Sequence, residues 1–66
     1  MAITAYPILR FFRTKHLPER IAVHSRPFEE LALKMIDEAP DDVELVVALR
    51  KLREAKDSYV GLMAIT

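Results

Sequence analysis

The chain has 66 residues, ten cations balanced by ten acids, and no cysteine. That length allows one domain at most, which buries only about 60% of the surface its unfolded form exposes. Missing thiols exclude disulfides and thiolate metal sites, and two histidines, His16 and His24, are too few for a closed zinc site without carboxylate help.

Residues 1 to 17 read as an extended or irregular arm. Pro7 removes a backbone donor, and ITAYPILRFF mixes β-branched and aromatic residues without a helical period. The opening MAITAYPIL is apolar but lacks a basic n-region and a cleavage pattern, so it does not read as a signal peptide. No apolar run approaches the roughly 20 residues needed to span a bilayer, and a soluble protein is expected. Pro18 suits a first helical turn, where its missing N–H would be an orphan anyway. Pro27 then predicts a break. Either a helix over 18–38 kinks there, or Ser25 caps a new helix that begins near Arg26; the favoured expectation is a short lead-in helix over 18–25 followed by a longer helix over 26–38.

From Phe28 the helical period is clear: Phe28, Leu31, Ala32, Met35 and Ile36 fall on one stripe. Glu29 and Glu30 sit where the dipole of a helix starting near residue 26 favours acids. Pro40 ends that helix by biasing Ala39 out of the helical region. Asp41 with Glu44 makes a capping-box-like start for a second helix over 42–63. Its stripe is Leu45, Ala48, Leu49, Leu52, Ala55, Tyr59, Leu62 and Met63. The short turn makes the two helices antiparallel neighbours. Val43, Val46, Val47 and Val60 lie off the stripe. One hairpin offers one partner face, so these valines suggest burial against another subunit or against the N-terminal arm, and with the absence of a staple a homo-oligomer is expected. The expected fold is therefore all-α: an antiparallel helical hairpin with an extended N-terminal arm and a short lead-in helix, assembled from identical subunits.

Charge is segregated within the neutral total. Residues 1–26 carry Arg10, Arg13, Lys15, Arg20 and Arg26 against Glu19. Residues 27–49 carry Lys34 against seven acids, and residues 50–57 turn basic with Arg50, Lys51, Arg53 and Lys56. In a hairpin the two basic stretches can meet. A solvated helix face accounts for part of the second stretch, because Arg50 with Glu54 and Arg53 with Asp57 are i,i+4 pairs. In the first stretch, Phe11 and Phe12 lie among cations, a composition that can stack bases and neutralise phosphates. One of the two phenylalanines is expected in the core. Enzyme signatures are missing: no nucleophile lies near a base in a recognisable pattern, and Gly61, the only glycine, cannot make a phosphate-binding loop. The chain reads as a binding protein, not an enzyme, with no cofactor and no metal. Acids in the inter-helix turn argue against a DNA-binding helix-turn-helix.

Four segments in order, F-x-x-x-H-L-P-E, S-R-P-F-E-E-L-A, P-D-D and A-L-R-K-L-R-E-A-K-D, cover most of the chain from about residue 11. They resemble a group of small bacteriophage helical-hairpin proteins, the anti-defence nucleotide sponges related to proteins that blunt CBASS and Thoeris immunity. The resemblance implies a multi-subunit helical assembly, a hexamer in relatives, working in the host bacterial cytoplasm without membrane or DNA. It implies sequestration of cyclic oligonucleotide second messengers, cyclic di- or trinucleotides, without hydrolysis. In such sponges an aromatic residue before the hairpin and a basic residue of the first long helix sandwich a base. Arginine on the last helix meets phosphates. By position, Arg26 is the basic sandwich member and Arg53 the phosphate residue. The family often places tyrosine two residues before the histidine; here that residue is Thr14, and Phe12 is the other candidate. His16 and Arg50 complete the candidate ligand-binding set. The alternative reading is a helical oligomerisation or adaptor module that binds a host protein.

Overall fold

A computed structural model describes residues 7–66. Three helical elements follow one another: a 3-10 helix over Pro7–Phe12, α1 over Glu19–Glu38 and α2 over Val43–Ile65. His24, in the second turn of α1, and Phe28, midway along it, meet Tyr59, late in α2, while Ile36 near the end of α1 shares a cluster with Leu45 and Leu49. The two long helices are therefore antiparallel, as the short turn requires. The 37 Å length of the molecule is close to that of α2 alone, at about 1.5 Å per residue.

The turn forms as Pro40 dictates. Ala39 is extended, with φ −88° and ψ 152°, and its N–H still reaches the Met35 carbonyl at 3.0 Å. The cap of α2 is one residue later than the capping-box spacing suggests. Asp42, not Asp41, is extended at φ −140° and ψ 153°, and its Oδ1 accepts from the Glu44 N–H at 2.8 Å. A carboxylate at this place satisfies an orphan amide of the first turn.

Where a break near Pro27 is expected, α1 runs through without interruption. Ser25 is consequently not a cap but a buried mid-helix residue. Proline has helical φ, but the hydrogen bond to the Val23 carbonyl is lost and the ring crowds that carbonyl. Val23 and Pro27 are both exposed, whereas Ala22, Ser25 and Ala32 are buried on the other side of the helix. Pro18 precedes the first turn as its cap, and its carbonyl accepts from the N–H groups of Ile21 and Ala22. Within the expected arm, Pro7–Phe12 wind into a 3-10 helix; residues 1–6 lie outside the described residues.

The 3-10 helix lies against both long helices through Phe12. That ring is fully buried with Ala32, Ile36, Leu45 and Leu49, and Ile8, Leu9, Phe28, Met35 and Leu52 pack around the cluster. The core ends there. Leu31, Tyr59 and Leu62, expected on the two stripes, are 44%, 44% and 54% exposed, and Val43 is 72% exposed. Among the described residues the cluster lies in the half of the hairpin nearest the turn, with Ile8, Leu9 and Phe12 of the 3-10 helix packed in it.

Truncating the keystone ring should be severe. Phe12→Ala is expected to cost about 3–5 kcal/mol, a large part of what so small a domain holds, whereas Phe11→Ala should cost under about 1 kcal/mol. Urea denaturation followed by circular dichroism compares them. Pro27→Ala should raise the melting temperature, because the restored helix bond outweighs the roughly 0.4–1 kcal/mol of chain entropy lost with proline.

Candidate functional site

A 3-10 helix has three residues per turn, so residues three apart eclipse. Leu9 and Phe12 form one ridge and Ile8 and Phe11 the next. With Phe12 in the core, Phe11 is left at the surface, 37% exposed. The second basic stretch of the sequence arrives beside it on α2. The Arg53 guanidinium lies over the Phe11 ring, 3.5 Å from its centroid, and Arg10 lies 5.0 Å from the same centroid.

Lys56, one turn further along α2, fastens this arrangement. Its Nζ donates to the Phe11 carbonyl at 2.6 Å and sits 5.8 Å from the centre of the Phe12 ring. An ammonium there satisfies a carbonyl at the C-terminal end of the 3-10 helix, where cations are favoured. Asp57 joins the two cations: Oδ1 is 2.8 Å from Lys56 Nζ, and Oδ2 is 3.6 Å from Arg53 Nε. Packing on the ring and the carboxylate together limit where the planar donor fork of Arg53 can point. Such a fork can take two oxygens of an anion at once. Arg50, one turn earlier, is exposed and makes no ion pair or hydrogen bond among the described residues, so the expected Arg50–Glu54 pair is not formed.

The other candidate residues are placed differently. Phe12 is 0% exposed and offers no face to a base in this chain. Thr14 is also buried, and its hydroxyl donates to Glu29 Oε1 at 3.3 Å. His16 is exposed. Arg26 grips Glu19 two turns earlier in α1, with both terminal nitrogens on the carboxylate at 3.1 and 3.5 Å. Thus Arg53 meets the aromatic segment, with Arg50 one turn earlier on the same helix, whereas Arg26 is engaged within α1. Phe11, Arg10 and Lys56 are members of the cluster that the candidate set lacks. The sequence does place Phe11 among cations; the 3-10 period needed to tell it from Phe12 is not marked by any residue type.

An open groove of about 550 Å³ lies elsewhere, at the hairpin turn, lined by Glu38, Asp42 and Glu44 and by no cation. Its charge is opposite to that of the Phe11 cluster. Among the described residues no helix is long and apolar enough to cross a membrane, and no group of three or more acids and histidines is placed to hold a metal ion. No protein-family model, curated protein or solved structure matches this chain.

The Phe11–Arg53 contact is measurable in solution. A double-mutant cycle with Phe11→Leu and Arg53→Met should give a coupling of about 0.5–1 kcal/mol by urea unfolding, the range for an exposed cation–π pair. Lys56→Met should cost about 1.5 kcal/mol, the lower end for a hydrogen bond from a charged group, because the carbonyl it serves lies at the surface.

Proposed function

We propose that this chain is a bacteriophage anti-defence protein that binds cyclic oligonucleotide second messengers and sequesters them without hydrolysis. The observation that carries the reading is the exposed Phe11 ring covered by Arg53 and approached by Arg10, with Arg50 unpaired one turn away. A cyclic oligonucleotide presents phosphate charges and flat bases together. Arginines beside an aromatic ring meet both, the forks on phosphate oxygens and the planar groups against bases. The helical hairpin is the architecture that the resemblance in the sequence implies. Phe11 takes the aromatic role in this reading, in place of the buried Phe12.

Assembly into a homo-oligomer, a hexamer by the same resemblance, belongs to the proposal. Val23, Tyr59, Leu62 and Ile65 are exposed, the last at 82%, and a second copy would cover apolar surface of this kind. Subunits packed together also bring cations from several copies toward one ligand. Sequestration needs slow release, which multiple contacts to phosphate favour.

A thermal-shift screen with cyclic di- and trinucleotides tests the reading. A ligand at 100 times its Kd adds about 2.7 kcal/mol, which raises the melting temperature of so small a domain by roughly 10 °C or more. The ligand should be recovered intact after heat denaturation; linear products that grow with protein concentration would refute sequestration. For a ligand found this way, calorimetry should show Arg53→Ala weakening binding by about 1.5–3 kcal/mol, with Arg53→Lys recovering only part of it. Lys51→Ala should change affinity little, since Lys51 is exposed and has no partner among the described residues.

A further inference from the structure

The Phe11–Arg53 contact fixes an orientation as well as a distance. The guanidinium carbon is 3.5 Å from the centre of the ring. A guanidinium standing on edge there would bring a nitrogen, about 1.3 Å from that carbon, to within roughly 3 Å of the ring, inside van der Waals contact. The group therefore lies flat on Phe11. It covers one face of the ring, and its N–H donors point sideways in a plane parallel to that ring. Among the described residues no second ring lies on the guanidinium, and the Arg53 side chain is 37% exposed. Asp57 Oδ2 stands 3.6 Å from Nε, whereas the two terminal nitrogens have no partner among the described residues. No buried side-chain nitrogen there lacks a partner, so these two reach solvent. The platform beneath is held twice: Phe12, next in the chain, is in the core, and Lys56 Nζ donates to the Phe11 carbonyl.

We infer that a bound base stacks on the outward face of Arg53 and not on Phe11, which gives a stack of three layers: ring, guanidinium, base. The inference rests on the reading of this cluster as a cyclic-nucleotide site. A base entering between ring and guanidinium would lift Arg53 off Phe11 and away from Asp57, and both contacts would be lost. A base arriving from outside keeps them, and meets a planar cation already desolvated on its inner face. Phosphate oxygens then meet the two terminal nitrogens, because Asp57 holds the Nε edge and its charge repels phosphate there. Phe11 is thus a positioning residue, acting on the ligand through Arg53. This order differs from the sandwich that the resemblance in the sequence implies, where the base lies between aromatic residue and cation.

Two probes, cyclic di-adenylate and cyclic tri-adenylate, are titrated separately into the full-length 13C,15N-labelled protein and followed by NMR. In the complex, adenine protons should show nuclear Overhauser effects to the Arg53 side chain and none to the Phe11 ring. The Arg53 Hδ resonances should move further upfield, as a second ring current adds to that of Phe11. Affinity supplies the second readout. Phe11→Tyr, which keeps the platform, should bind within about twofold of the unaltered protein, and Phe11→Leu should weaken binding about fivefold. Arg53→Lys should also weaken it. Adding Phe11→Leu to Arg53→Lys should then change affinity by less than about twofold, because the ring acts only through the guanidinium. Circular dichroism establishes that each variant is folded. Adenine contacts to the Phe11 ring, a bound probe without contact to Arg53, or multiplicative losses in the double variant would each overturn the inference and leave nucleotide binding standing. No saturable shifts with either probe would remove the nucleotide reading and the inference with it.

Discussion

The Phe12 ring joins three helical elements to one core. It is buried on all sides, among Ala32 and Ile36 of α1 and Leu45 and Leu49 of α2. Two helices crossing at alanine and leucine bury too little to hold a domain of this size, and a third element must supply the missing apolar volume. The 3-10 helix does so with the buried Phe12 ring, flanked by Ile8 and Leu9. Its position then fixes what happens above it: once Phe12 points inward, the eclipsed ridges leave Phe11 outward, directly in the path of Arg53.

Core and candidate site are thus mechanically connected. Lys56 holds the Phe11 carbonyl, lies beside the Phe12 ring and shares Asp57 with Arg53. One carboxylate keeps two cations in register, and one aromatic residue carries an arginine because its neighbour is buried. The basic face is organised before any anion arrives, which reduces the ordering entropy a ligand would otherwise meet.

Much of the hairpin was legible in the sequence. The three-and-four spacing of Phe28, Ala32, Met35 and Ile36, and the Pro40–Asp42 turn, give the end of α1 and both ends of α2 to within two residues, but not the start of α1 at Glu19. Three features were not legible, each for a physical reason. The helix passes Pro27 because local preference yields to tertiary packing: Pro27 lies on the exposed side of α1 and the opposite side is buried. Apolar spacing in the late turns of α2 looks like a core stripe, yet Tyr59 and Leu62 stay half-exposed, since periodicity shows which face is apolar and not what covers it. The choice between adjacent phenylalanines turns on about 120° of rotation in a 3-10 helix, which no residue type announces. Among the site candidates, Arg53 was identifiable from its helix face. The engagement of Arg26 by Glu19 across two turns has no strong sequence signal.

Proline inside α1 also divides that helix in time. The Val23 carbonyl has no intrahelical partner, so the hydrogen-bond ladder is interrupted there. The turns before it bury only Ala22 and Ser25, outside the main cluster, whereas the turns after it carry Ala32 and Ile36. Opening of the leading turns therefore costs less free energy than global unfolding, and their amides exchange with solvent through that local route. Arg26 sits at the boundary of the two regimes. Its guanidinium can change position by fraying of a short segment, on a timescale set by that segment, while the Phe12 cluster stays closed.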